Sequence, residues 1–194
     1  IQTGRYLDVA CGTGDLSLAA ARRHPQITVT GIDFVEEMVE AARKKAQVKK
    51  LASRVSFLQG DALRLPFNDN SFDVAGIAFG IRNIPDRERA LAEMRRVVVP
   101  GGQVMVLEMS FSQRRLFRPI YSVYLNRLLP LQAKLFSQNP AAYFYLADSI
   151  MNFPPPDEFA KIMADAGLAR VQKFPLTFGI TWLYVGIKGK AGRS

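Results

Sequence analysis

Short apolar runs of strand character alternate along the chain with stretches whose apolar residues recur every three or four positions. Arg5–Ala10 (RYLDVA) reads as a strand, followed by a glycine turn and a helix from Asp15 to about Arg23. Ile27–Ile32 (ITVTGI) is a second strand, and Val35–Gln47 a second helix with Met38, Val39, Ala42 and Ala46 at helical spacing. Val55–Leu58 is a short third strand and Phe72–Phe79 (FDVAGIAF) a fourth. A helix over Arg87–Val97 carries Leu91, Met94 and Val97 on one face; Pro100-Gly101-Gly102 stops it, and Gln103–Glu108 makes a fifth strand. Strands alternating with helices imply right-handed crossovers and a doubly wound, mainly parallel α/β sheet.

The pattern changes at about Ser110. From there to Phe153 the chain reads as mostly helical, rich in Leu, Phe and Tyr and broken by Pro119, Pro130 and Pro140. A stretch of residues 110–153 is too long for a simple loop and reads as a helical insertion, a lid over the carboxyl edge of the sheet, where doubly wound folds bind ligands. After Pro154-Pro155-Pro156 comes a helix from Asp157 to Ala166, ended by Gly167. Two further strands, Ala169–Pro175 and Ile180–Ile187, are expected as an antiparallel edge, which brings the sheet to seven strands. With no repeats and no low-complexity linker, residues 1–194 read as one domain.

Composition narrows this little. An apolar fraction of 48% with 22% charged residues is globular and excludes a disordered or fibrous chain. No run of about 18 apolar residues is free of charge, so a membrane-spanning helix is not expected. The single cysteine cannot form an intrachain disulfide, which fits a reducing compartment, and a cytoplasmic location is the expectation. The start, Ile1-Gln2-Thr3-Gly4, has neither Met nor a charged-then-apolar leader and reads as a piece whose front end is missing. Lys+Arg 26 against Asp+Glu 17 gives a net charge of +9, spread over Arg43 to Lys50, Arg114 to Arg118 and Lys188 to Arg193. Solvated helix faces account for most of it, and attraction to an anionic membrane surface is the second reading.

The sharpest chemical signal is Asp8-Val9-Ala10-Cys11-Gly12-Thr13-Gly14-Asp15, at the junction of the first strand and first helix. Gly12 and Gly14 permit a tight turn and let a ligand sit against bare backbone at a helix amino end. About 20 residues on, Asp33 closes the second strand, where a carboxylate can hold both hydroxyls of a ribose. The dinucleotide fingerprint wants a third glycine where Ser17 stands, and the acids Asp8 and Asp15 suit a cationic amino group better than a pyrophosphate. S-adenosyl-L-methionine, with an ammonium, a sulfonium and no phosphate, is therefore the expected cofactor. In Gln59-Gly60-Asp61-Ala62, after the third strand, Asp61 can accept from the exocyclic amine of adenine.

These motifs resemble the class I S-adenosylmethionine-dependent methyltransferases: DVACGTGD, GID, GDA and RVVVPGG in order along the chain. LPFNDNSFD, FGIRNIPDRERALAEMRRV, VLEMS and YLADSIMNFPP narrow the resemblance to the ubiquinone/menaquinone biosynthesis C-methyltransferase family, over Tyr6 to about Lys188. The resemblance implies a Rossmann-like methyltransferase fold with cofactor contacts at Thr13, Asp33, Asp61 and Ala62, and Phe34 and Ala78 complete the expected cofactor site. Family members often carry Ser at the position of Ala78, and have an amino-terminal helical segment that has no counterpart in this sequence.

The reaction so implied moves a methyl group to a ring carbon of a prenylated quinol and leaves S-adenosyl-L-homocysteine. A reduced ring becomes nucleophilic when a phenolic proton, with a pKa near ~10 by analogy with tyrosine, is lost. Arg82 and Asn83 follow the fourth strand at the carboxyl edge, where the acceptor belongs. In the family this arginine would orient water or stabilise a phenolate; a structural ion pair with Asp86 or Glu88 is the competing reading. Tyr145 and Asp148 in the insertion are secondary candidates, and no metal is implied. Leu116, Phe117, Ile120, Tyr121, Tyr124, Leu125, Leu128 and Leu129 form an amphipathic pattern suited to sheet packing or a polyisoprenoid tail, and Arg114, Arg115 and Arg118 would face anionic lipid at the inner face of the membrane. A homodimer is left open. A sterol, polyketide or other small-molecule acceptor is the alternative. Nucleic acid is not expected: Asn139-Pro140-Ala141-Ala142-Tyr143 lies in the insertion, Cys11 in the cofactor turn, and His24 away from the cofactor edge.

Overall fold

The computed structural model describes residues 3–110, 145 and 148–190. Four parallel strands open the chain: β1 (Thr3–Val9), β2 (Gln26–Asp33), β3 (Val55–Gln59) and β4 (Phe72–Ala78). Helices α1 (Asp15–Arg23) and α2 (Glu36–Val48) follow β1 and β2, and α3 (Arg87–Val97) joins β4 to β5 (Val98–Met109). Helix α4 (Pro156–Asp165) then leads into β6 (Leu168–Leu176) and β7 (Thr181–Lys188). The seven-stranded sheet has the order β3-β2-β1-β4-β5-β7-β6, and β7 is antiparallel to both β5 and β6.

Strand alternation divides the apolar side chains between two layers. Ile27, Val29, Val55 and Phe57 meet Leu18 and Ala21 of α1 and Val39, Ala42 and Ala46 of α2. On the other face Leu7, Val9, Ile77, Val104 and Val106 meet Leu91 and Met94 of α3 and Phe159 and Met163 of α4. The strands and helices expected outside the insertion are present, and the largest displacement of a boundary is at β5. Strand β5 begins at Val98, directly after α3, and Pro100-Gly101-Gly102 is an irregularity within it, where its register against β4 shifts between Phe72 and Val74. The expected helical insertion at 110–153 lies outside the described residues except for Ser110, Tyr145 and 148–153, of which 148–151 are helical. Its arginines and amphipathic residues are among those not described.

Two polar residues join β1 to α1 beneath the glycine turn. Asp8, 1% exposed, accepts from Ser17 Oγ at 2.5 Å and from the Tyr6 hydroxyl at 3.4 Å. Burial pushes its carboxyl up to about 6, against the pull of those hydrogen bonds.

Phe159 packs its ring against Phe153 and Tyr184 at centroid separations of 4.9 and 4.8 Å. Phe159→Ala is expected to lower stability by about 3–5 kcal/mol, read as a fall in urea midpoint at unchanged m-value. The raised Asp8 carboxyl means that the folded state binds this proton more tightly than the unfolded chain does. Its ionised form therefore destabilises the fold fully above about pH 6, and the cost is relieved as pH falls towards 3.8. Relative to Asp8→Asn, the unmodified protein should gain roughly 1–1.5 kcal/mol between pH 7 and pH 5 in paired urea titrations; a constant difference would refute the assignment.

Candidate active site

The order of strands reverses at β1 and β4, and the cleft opens at their carboxyl ends. Its volume is about 630 Å³, within the range of small-molecule sites. One wall comes from the ends of β2 and β3 (Asp33, Phe34, Asp61, Ala62) and the other from the segment after β4 (Phe79, Gly80, Asn83). Two lining residues, Ala10 and Phe79, have left-handed backbones, with φ of 52° and 57°. Non-glycine residues rarely adopt that conformation, so the backbone is held in a strained form at these two points of the lining.

The turn after β1 is tied to the end of β2 by a hydrogen bond to Asp33. Gly12 (φ 54°) donates its N–H to Asp33 Oδ2 at 2.7 Å, and the Val35 N–H reaches Oδ1 at 3.0 Å. Asp33 is thereby held at the lip, and each of its oxygens still has lone pairs for a ribose hydroxyl. Gly14 (φ 79°) opens α1, and a Cβ there would sit 2.6 Å from the Phe57 ring, so the tight turn and the close approach both require glycine. Asp61 accepts from the Leu63 N–H at 2.8 Å through Oδ1, and Phe34, 72% exposed, stands at the rim.

Other expected contacts lie elsewhere. Thr13 and Asp15 turn outward: Lys45 Nζ donates to Thr13 Oγ1 at 2.7 Å and to Asp15 Oδ2 at 2.8 Å, so neither faces the cleft. Asp8 does not line it either, because strand alternation points its carboxylate at α1. Ala78 is displaced for the same reason: it lines a separate apolar groove with Leu16, Met105, Leu107 and Leu183 on the α1 face of the sheet. The Asp148 carboxylate accepts from Asn152 Nδ2 at 3.0 Å, along its own segment. Tyr145, 59% exposed, is brought in, its hydroxyl donating to Asn83 Oδ1 at 3.0 Å.

Arg82 lies in a short 3-10 turn, Ile81–Asn83. Its guanidinium points away from the cleft and bonds Glu108 at the end of β5, Nη1 to Oε1 at 2.5 Å. The partner is neither Asp86, which caps α3 by accepting from the Arg89 N–H, nor Glu88. Sequence reasoning left Glu108 within a strand; a carboxylate closing an otherwise apolar strand was the signal that it had a buried partner. The positive φ of Phe79 had no such signal.

Among the described residues, the polar side chains that line the cleft are thus two carboxylates and one amide, with no Lys or Arg, although the chain as a whole carries +9. Such a lining fits a cationic nucleoside without phosphates, S-adenosylmethionine, and disfavours a dinucleotide.

Known proteins share this organisation. The fold is that of a putative S-adenosylmethionine-dependent methyltransferase from Methanococcus maripaludis, with a TM-score of 0.70 at 20% identity over 100% of this chain and 81% of that one. A phosphoethanolamine N-methyltransferase 2 from Haemonchus contortus, in complex with S-adenosyl-L-methionine, gives a TM-score of 0.72 at 16% identity over 98% and 50% of the two chains. In sequence the chain is 45% identical over 187 residues to the ubiquinone/menaquinone biosynthesis C-methyltransferase UbiE of Geobacter sulfurreducens, covering 96% of this chain and 73% of that protein. It is 45% identical over 182 residues to the demethylmenaquinone methyltransferase of Thermus thermophilus, covering 94% and 81%. Residues 2–188 match the ubiE/COQ5 methyltransferase family along their whole length, and the chain belongs to that family.

Proposed function

We propose that this chain transfers a methyl group from S-adenosylmethionine to a ring carbon of a prenylated quinol in menaquinone or ubiquinone biosynthesis. The observation that carries the reading is the cleft at the switch point, lined among the described residues by two carboxylates and no Lys or Arg, in a chain whose relatives are named for quinone C-methylation. Asp33 would hold the ribose, Asp61 and Ala62 the adenine, and the backbone of Gly12 to Gly14 the turn beneath them. When bound, S-adenosylmethionine supplies the electrophilic methyl group. The opposite wall handles the acceptor. Tyr145 donates to Asn83 Oδ1, which leaves the Asn83 amide N–H groups for the quinol oxygen. Donors preset at that oxygen favour the phenolate, from which electron density reaches the neighbouring carbon. With the phenolic proton lost to solvent, that carbon would take the methyl group as its bond to sulfur breaks, and the displaced ring proton would return the ring oxygen to a phenol.

Supply of such a substrate fits a protein that docks on lipid. At the carboxyl edge, Phe34 after β2, Leu176 at the end of β6 and Phe178 beyond it are exposed apolar side chains. Among the described residues no helix is long and apolar enough to cross a membrane. The docking we propose is therefore peripheral, at the inner face.

The first test uses labelled S-adenosylmethionine with chemically reduced demethylmenaquinol and a benzoquinol analogue. Label is expected in a quinol, only with reductant present, and Asp33→Ala should weaken cofactor binding at least about tenfold through loss of charge-assisted hydrogen bonds. Cofactor binding without transfer to either quinol would return the acceptor to other small molecules. The second test is flotation with vesicles: enrichment on anionic over neutral lipid, lost at high salt, is expected, and equal recovery would sink the docking.

A further inference from the structure

We infer that Glu108 is a positioning residue of the methyl-transfer site, holding Arg82 and the turn that carries Asn83 into the cleft. The inference rests on the quinol-methylation reading above.

Glu108 ends β5 on the sheet face that packs against α3 and α4, two residues beyond the buried Val106, and is itself 0% exposed. Its carboxylate gathers three donors. Oε1 accepts from Arg82 Nη1 at 2.5 Å and from the Met109 N–H at 2.8 Å, and Oε2 accepts from the Arg82 backbone N–H at 3.3 Å. One carboxylate thus fixes both the main chain and the side chain of Arg82, across the gap between the carboxyl ends of β4 and β5. The Arg82 carbonyl in turn accepts from Arg87 Nη2 at 3.2 Å, and the Arg87 guanidinium lies over the Phe153 ring at 5.4 Å. The turn is pinned from both sides, and the next residue along it, Asn83, lines the cleft and meets Tyr145.

Stability is a poor explanation for this arrangement. Desolvation of a fully buried carboxylate opposes its ionisation, and burial does push the Glu108 carboxyl up, with the Arg82 guanidinium opposing. A buried ion pair of this kind is often no more stabilising than apolar residues of the same volume, whereas its geometry is demanding. Arg82 Nε–H is also buried without a hydrogen-bond partner among the described residues. Glu108 thus decides which way the guanidinium, and that buried donor with it, faces behind the cleft wall.

The test is a double-mutant cycle on kcat for quinol methylation, with the dissociation constant of S-adenosylmethionine measured for each protein. Glu108→Gln should lower kcat about 10- to 100-fold, as misplacement of a reacting wall does, with cofactor affinity within about twofold because Asp33 and Asp61 lie on the other wall. In an Arg82→Gln background the same substitution should cost less than about twofold, because Glu108 acts through Arg82. The double variant replaces the ion pair by two amides and leaves no buried unpaired charge; if Glu108→Gln alone folds poorly, the Arg82→Gln and double variants still read whether the substitution costs kcat once Arg82 is gone. Costs that add, an unchanged kcat in Glu108→Gln, or a kcat loss matched by cofactor affinity would each overturn the role of Glu108. Absence of label in quinol with the unmodified chain would overturn the quinol reading itself.

Discussion

Where β1 and β4 lie side by side, the chain leaves them in opposite directions. From β1 it crosses through α1 to β2, on one face and towards one edge; from β4 it crosses through α3 to β5, on the other face and towards the other edge. Two right-handed crossovers that diverge in this way cannot cover the carboxyl ends of the strands from which they depart. The crevice is therefore a consequence of strand order, and every functional group described above is positioned relative to it. Asp33 and Asp61 arrive from the β2–β3 side, and Phe79 and Asn83 from the β4 side.

Electrostatics then separates the cleft from the rest of the surface. Among the described residues, the cations stand off the lining of the cleft: Lys45 is occupied by Thr13 and Asp15, Arg96 by Glu93 and Asp69, and Arg82 by Glu108. Among the described residues Asp33 and Asp61 have no ion-pair partner, which leaves the lining negative for a cationic nucleoside. Charges withdrawn behind the walls act on geometry instead, as the bonds from Glu108 to the 81–83 turn illustrate. Left-handed Ala10 and Phe79 show the same economy in the backbone, since both wall residues are held in conformations that neighbouring strands impose.

Local periodicity was enough to recover the order of elements, the parallel sheet with its antiparallel edge, and the helix faces that build the two apolar layers. Glycine chemistry was equally legible, because Gly12 and Gly14 are needed for their own backbone angles whatever surrounds them, and Asp33 follows from the length of a β-α-β unit. The family resemblance, carried by segments such as FGIRN, pointed to the acceptor side before any geometry was known.

Alternation between the two faces of a strand was harder to use, because a side chain's face depends on the register of its neighbours. Asp8 and Ala78 look like site residues in the linear motif, yet pairing places one under α1 and the other in a separate groove. Thr13 and Asp15 belong to the glycine turn in sequence but answer to Lys45, thirty or more residues away on α2. Arg82 and Glu108 are 26 residues apart, and only the adjacency of β4 and β5 makes them partners. The sequence by itself thus determined what its short-range chemistry could: elements, glycine turn, cofactor class. Which polar groups face the ligand and which face one another was decided by strand pairing, because a contact across a sheet is set by register and leaves no periodic trace in the chain.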